Sequence, residues 1–279
     1  MTGATGRWEG RTGAELAAAW TLPQVHARQV VGSTNDMART LADSGAPHGT
    51  VVVAEEQTAG RGRGGKQWES PPGLGIWMSV VARPAELPAP GLLPILVGLA
   101  AAEALDAFAR PATAMIKWPN DLQLAGRKFA GILCEGSWDA AGPGAVIVGI
   151  GMNVLHAPGD FAPEVRETAT SLRIVAGWAP PRVHVAGAVA GAIARALARP
   201  PAQLGGALLD ALRRRDALDG REVRVTGPQE TEGTALGIAS GGGLLVRGRD
   251  GVLRTITTGT VRAVPHGEAG STPRPSRSE

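Results

Sequence analysis

The chain has 279 residues, 43% hydrophobic and 19% charged, with a formal net charge of +3. That length fits one large domain or a domain with a small module, and the charge is too mild for bulk electrostatic binding of nucleic acid. One cysteine, Cys134, excludes an intrachain disulfide, and His26, His48, His156, His184 and His266 show no metal-ligand spacing, so no dedicated protein metal site is expected.

Residues 1–24 read as a ragged N-terminal extension with one short helix near 13–20, and without the apolar stretch of a signal peptide. A strand is predicted at 25–31, then a helix to about Leu41 capped by Ser33 or Thr34. The β-branched run from Thr50 predicts a strand to Glu56, and Gly75–Ala82 predicts another. The apolar run 92–109, broken by Pro94, Glu103 and Asp106, reads as a buried helix and not a membrane span, which points to a cytoplasmic protein.

A strand at 114–118 turns at Pro119, and 121–124 with 128–135 form a hairpin around Ala125-Gly126. A Gly/Pro turn at 140–144 precedes AVIVGIGMNVL (145–155), whose near-continuous apolar character predicts a central or doubly covered strand. A short helix near 168–175 and two helices at about 183–198 and 203–216 follow. At Gly220 the text changes to short strands and glycine turns, a small β-barrel to 264, and 265–279 reads as a disordered tail. The predicted domains are thus 1–24, 25–219, 220–264 and 265–279.

Only three of the 28 Lys and Arg residues are lysine, and each lies in a compact motif. The loop Gly60-Arg61-Gly62-Arg63-Gly64-Gly65-Lys66-Gln67-Trp68 combines flexible glycines, which let backbone N–H groups approach a ligand, with cations for an anion and a flat ring for a base. It is no Walker A motif, because Gln67 follows Lys66. By itself it also fits a solvated turn or an RGG-like nucleic-acid contact. In Lys117-Trp118-Pro119-Asn120-Asp121 a strand delivers Lys117 and proline turns out Asn120 and Asp121, an ordinary turn or the seat of a general base. In Arg127-Lys128-Phe129-Ala130-Gly131-Ile132-Leu133 a lysine enters an apolar strand, which is costly to bury without an anion unless the side chain snorkels out.

Taken together, STN (33–35), EEQTAGRGRGGKQW (55–68), KWPND (117–121), GRKFAGILCE (126–135) and IVGIGMNV (147–154) resemble the biotin protein ligases, the biotin–[acetyl-CoA-carboxylase] ligase family. The resemblance covers roughly 30–155 and extends weakly to 264. It implies an α+β fold: a mixed-sheet catalytic domain of the biotin/lipoate ligase type with packed helices, plus a small SH3-like β-barrel. It implies formation of biotinyl-5′-AMP from biotin and ATP with Mg²⁺, then transfer to a lysine of the biotin carboxyl carrier domain of an acyl-CoA carboxylase.

By the family pattern, Ser33, Thr34, Asn35 and Gln57 line the biotin ureido end, with Gly131 a backbone contact. Arg61, Gly62 and Arg63 belong to the loop that closes over biotin and adenylate. Trp68 stacks the adenine, while Lys66, Lys117, Asn120 and Asn153 lie near the nucleotide. Lys128 bridges the biotin carboxylate and α-phosphate, Asp121 orients or deprotonates the acceptor lysine, and Arg63 completes the catalytic set. Lys66 stands where arginine is usual, and no acid stands near Thr260, where the family often has one. A lipoate or octanoyl ligase shares the fold but lacks the GRGR loop and KWPND. A bifunctional ligase-repressor needs an N-terminal winged helix, and about 24 residues precede the first strand. No DNA and no membrane partner is expected, and the chain is expected to be a monomer or weak homodimer.

Overall fold

Short β-branched runs separated by glycine turns become strands, and alanine- and leucine-rich runs become the helices that cover them. The computed structural model describes residues 6–139 and 142–264. It begins with the hairpin β1 (Arg7–Trp8) and β2 (Arg11–Thr12) and helix α1 (Gly13–Trp20). Then come β3 (Val25–Val31), α2 (Thr34–Asp43), β4 (Thr50–Gln57), β5 (Gly75–Ala82), α3 (Leu93–Ala109), β6 (Met115–Lys117), β7 (Asp121–Leu124), β8 (Arg127–Asp139) and β9 (Gly142–Asn153). Helices α4 (Leu172–Ala176), α5 (Arg182–Ala198) and α6 (Gly206–Arg213) lead to β10 (Glu222–Thr226), β11 (Thr231–Ile238), β12 (Leu244–Gly248), β13 (Leu253–Ile256) and β14 (Thr260–Ala263).

Seven strands form a mixed sheet in the order β3-β4-β5-β9-β8-β7-β6, with only β3–β4 parallel. The apolar strand β9 is its centre, as its composition predicts. One face of β9 (Val148, Ile150, Met152) joins the main core with α3 and α5, and Ile147 on the other packs under α2. Five antiparallel strands make a second sheet, β13-β12-β11-β10-β14. The mixed sheet with helices and the small antiparallel module agree with the expected fold class.

Several local expectations change. The N-terminal segment is not ragged from residue 6 on: Trp8 and Leu16 are fully buried, and Thr12 and Glu15 close a capping box on α1. Ser33 occupies the N-cap of α2 but its side chain makes no capping bond. The turn expected at 140–144 belongs in part to β9, which already includes Gly142, while 140–141 lie outside the described residues. The expected tail 265–279 also lies outside them. Within the predicted small barrel, residues 252–264 divide into β13 and β14.

What fastens the N-terminal hairpin is Arg182 of α5, a 4% exposed side chain whose guanidinium holds Glu9 and Glu55 at once. Its Nε donates to Glu9 at 2.7 Å, its Nη1 to the Gly75 carbonyl at 2.8 Å and its Nη2 to Glu55 at 2.8 Å, while the Trp8 ring stacks 5.1 Å away. Four hydrogen bonds engage the buried cation, three of them to carboxylate oxygens, so its removal strands two carboxylates. Arg182→Ala is expected to destabilise the fold by about 3 kcal/mol, read as a lower urea midpoint with unchanged m-value; a shift under about 0.5 kcal/mol would contradict the account.

A second buried ionisable group, Asp216, lies on the segment that follows α6 and pairs with β6. Asp216 follows α6, where Ile116 N–H donates to the Arg215 carbonyl (2.6 Å) and Ala217 N–H to the Ile116 carbonyl (2.9 Å). Its Oδ1 accepts from Leu218 N–H at 2.9 Å, but its buried Oδ2 has no partner. Burial pushes this carboxyl up to about 6. The folded state therefore holds this proton more tightly than the unfolded chain. The associated stability is complete below about pH 4 and lost as pH rises through about 6, on the order of 3 kcal/mol. Asp216→Asn is expected to gain on the wild type progressively from pH 4 to pH 7 in urea titrations; a constant difference across that range would refute the assignment.

Candidate active site

A single row of directly paired residues crosses the sheet: Lys117 faces Asp121, Asp121 faces Gly131, Gly131 faces Gly151 and Gly151 faces Trp77. Directly paired residues share a face, so one lysine, one aspartate and two glycines lie side by side on the floor of a cavity of about 860 Å³. That is ample for a nucleotide with a small acid.

The glycines are required by close approach. A Cβ on Gly151 would lie 2.5 Å from Trp68 Nε1, and one on Gly149 would lie 2.3 Å from Asn35 Oδ1. The indole of Trp68 therefore lies flat against the sheet, with the Lys128 ammonium 5.1 Å from the ring centre. The ring expected to stack a base is thus part of the floor in this structure.

One end of the cavity is polar. Gln57 Oε1 accepts from Thr34 N–H (2.8 Å) and from the Thr34 hydroxyl (3.0 Å), and Gln57 Nε2 donates to Ser70 (2.9 Å). The Ser79 hydroxyl reaches both Asn35 Oδ1 (2.6 Å) and Thr34 Oγ1 (2.7 Å), and with one proton serves one at a time. Asn35 Nδ2 donates to Glu135 at 2.7 Å. Ser33 is buried beside them in the wall. Thr34 and Asn35, expected to face a ligand directly, thus have polar atoms already engaged by the protein.

The other end is cationic. Lys128 Nζ lies 2.6 Å from Asp121 Oδ1, so the two residues singled out for chemistry form an ion pair. Hydrogen bonds to Thr168 and Thr170 hold the Lys128 backbone on both sides. Burial lowers the pKa of Lys117, opposed by Asp121, and burial likewise lowers that of Arg63. Asn120 lines the cavity but donates its amide to the Ile132 carbonyl (2.8 Å), and Asn153 donates to the Thr170 carbonyl (3.2 Å).

The Gly/Arg loop closes on itself: Arg61 bridges Gln67, and Gly62 N–H donates to the Lys66 carbonyl at 2.7 Å. Its tip, Arg63–Gly65, is a tight turn with both glycines at positive φ, and the Arg63 guanidinium bonds the Gly259 carbonyl of the C-terminal sheet. Lys66 is exposed at the rim. Arg61 differs from expectation: both its Nη groups fork onto Asp36, at 2.8 and 2.6 Å, so they are not free for an anion in this arrangement.

The sequence reading did not single out Asp36, Ser70, Ser79 or Glu135, the partners of Arg61, Gln57 and Asn35 in the wall, although Glu135 ends the GRKFAGILCE segment. It also missed two wall segments: His156 to Ala169, and the turns Thr226-Gly227 and Thr258–Val261 of the small sheet. His156 stacks on Phe161 with centroids 5.1 Å apart, and burial lowers its pKa.

The segment that supplies the glycine floor and most of the cations around the cavity is of the protein-ligase class: the model of the Biotin/lipoate A/B protein ligase family matches residues 27–153. The Biotin protein ligase C terminal domain model matches 220–262. The biotin–[acetyl-CoA-carboxylase] ligase of Paracoccus denitrificans is 36% identical over 234 residues, 78% of this chain and 92% of that protein. This chain belongs to the biotin protein ligase family. The bifunctional ligase/repressor BirA of Bacillus subtilis is 43% identical over 149 residues, 53% of this chain and 46% of its own length. The match thus spans about half the length of the first curated relatives. A solved biotin protein ligase from Aquifex aeolicus in complex with biotin and ATP superposes with a TM-score of 0.74 and 28% identity, covering 86% of this chain and 99% of that one.

Proposed function

We propose that this protein activates biotin with ATP and passes the biotinyl group to one lysine of the biotin carboxyl carrier domain of an acyl-CoA carboxylase. The observation that carries this reading is the ion pair Lys128–Asp121, 2.6 Å apart on a glycine floor between a hydrogen-bonding end and a cationic rim. A ureido group needs matched donors and acceptors, which the neighbourhood of Ser33, Thr34, Asn35 and Gln57 supplies. The biotin carboxylate and ATP repel one another, and Lys128, Lys117, Arg63 and Lys66 offset that repulsion. The Aquifex relative is described with biotin and ATP together.

In the first step a carboxylate oxygen bonds to the α-phosphorus as the bond to the β-phosphate oxygen breaks, and pyrophosphate leaves. The ammonium of Lys128 bridges the carboxylate and α-phosphate as charge develops between them. Its arrival there loosens its bond to Asp121, which frees that carboxylate. In the second step the acceptor amine attacks the acyl carbon, the amide forms, AMP leaves, and Asp121 takes or orients the amine proton. Gly131 and Gly62 contribute backbone to the ligand, Trp68 a flat surface for the base, and Asn120 and Asn153 polar edges near the nucleotide. Among the described residues no group of three or more His, Cys, Asp or Glu is set to hold a metal. Mg²⁺, which needs only one or two carboxylates beside the phosphate oxygens, would enter on the triphosphate with most of its water, and no step here depends on a protein ligand to it. Among the described residues no helix is long and apolar enough to cross a membrane, and a cytoplasmic setting with free ATP suits the reaction.

Incubation with ATP, Mg²⁺, labelled biotin and a carrier domain is expected to label the carrier, and not a version lacking its acceptor lysine. Labelling by lipoate in place of biotin would overturn the reading. Lys128→Ala is expected to reduce biotin-dependent pyrophosphate exchange by about 10²–10³-fold; exchange near the wild-type rate would remove Lys128 from the mechanism. Asp121→Asn is expected to slow transfer from preformed adenylate by about 10²-fold or more while lowering exchange less. Equal losses in both half-reactions would argue against a transfer role.

A further inference from the structure

We propose that Asp36, assisted by Glu135, is a positioning residue that anchors Arg61 and so holds the Gly/Arg loop down over the pocket; this rests on the ligase reading above. Asp36 is in the first turn of α2, next to the Ser33-Thr34-Asn35 wall. Its two carboxylate oxygens take the two Nη groups of Arg61 at 2.6 and 2.8 Å, a fork-to-fork pair with directional demands that a lysine could not meet. Glu135 of β8 is 3.8 Å from the same guanidinium, 3.4 Å from Arg39, and accepts the Asn35 amide at 2.7 Å. The loop stem is thereby tied to the same acid that orients a pocket-wall asparagine. Through their mutual hydrogen bond, Arg61 is held above the usual guanidinium range and Asp36 below the usual carboxylate range.

The rest of the loop has little stiffness of its own. Gly64 and Gly65 take positive φ of 69° and 75°, and three of the five residues from Arg61 to Gly65 are glycine. Its position is therefore set by its ties: Arg61 to α2 at the stem and Arg63 to the Gly259 carbonyl at the tip. A loop that must admit ligands and then retain a reactive acyl-adenylate needs ties that are weak singly and effective together. The Asp36–Arg61 pair is part exposed, with side chains 59% and 37% accessible, so salt screens it. At the upper end of exposed pairs it shifts the closed population roughly fivefold.

The test compares full-length wild type, Asp36→Asn and Asp36→Glu. Biotin-dependent pyrophosphate exchange by the wild type is the baseline, and its absence would defeat the ligase reading itself. Given that baseline, Asp36→Asn is expected to keep the exchange kcat within about twofold, raise KM for biotin, and release preformed biotinyl-adenylate roughly fivefold faster. Asp36→Glu should restore retention, and about 1 M salt should bring wild type and Asp36→Asn together. Unchanged adenylate release in Asp36→Asn overturns the anchor. So does a lower KM for ATP, which would mean that Asp36 restrains Arg61 from a direct phosphate contact.

Discussion

The site depends on one constraint: the face of β9 that looks away from the main core carries no side chains at Gly149 and Gly151. Gly151 sits opposite Gly131 of β8, and Gly149 opposite Ser79 of β5. That bare strip lets the Trp68 ring and the Asn35 amide come down to the backbone. The other face of the same strand, Val148, Ile150 and Met152, is packed into the main core. An alternating strand thus spends one face on stability and the other on space, and the space exists because the packed face holds the strand rigid.

Around that floor, cations are stored with acids. Lys128 rests on Asp121, Arg61 on Asp36 and Glu135, and, further out, Arg182 on Glu9 and Glu55. Leaving cations unpaired at close range would cost self-repulsion, and burying them unpaired would cost desolvation. The pairs differ in kind. Arg182 is sealed in and serves the fold. Asp36–Arg61 is wet and open to screening by salt, as the proposed anchor requires. Lys128–Asp121 is part buried at the floor, where an incoming anion can exchange partners with it. Burial thus separates the sealed pair from the two accessible ones more clearly than distance does, since all three are close.

Much of this was legible locally. The apolar run of β9, the β-branched run of β4 and the hairpin at Ala125-Gly126 follow from period and turn chemistry within a few residues. The motif glycines and cations stood out because such residues cluster rarely. What could not be read comes from register between distant segments. Nothing near Asp36 announces Arg61, 25 positions on, and Ser79 looks like a stray hydroxyl until β5 sets it beside Thr34 and Asn35. The N-terminal segment looked ragged because its anchor, Arg182, is 173 positions away from Glu9. Arg61 was recognised as important for its charge, but its partner decides what that charge does.

The small C-terminal sheet belongs to the same argument. The missing acid near Thr260 gave little reason to bring this module to the site, yet Thr226, Gly227 and Thr258–Val261 form part of the cavity wall. Its contributions that can be named are backbone ones: the Gly259 carbonyl takes Arg63, and the Gly242 carbonyl takes the indole N–H of Trp118 at 3.0 Å. Hydrogen bonds accepted by backbone survive changes of side chain, so the identity of residue 260 does not decide whether these two ties form. Trp118 lies inside the KWPND turn that delivers Lys117 and Asp121. The bond to Gly242 therefore connects the position of the small sheet to the row of residues on the floor, and the Arg63 bond connects it to the loop above. A displacement of that sheet would be felt at both surfaces of the cavity at once, which makes it part of the frame of the site.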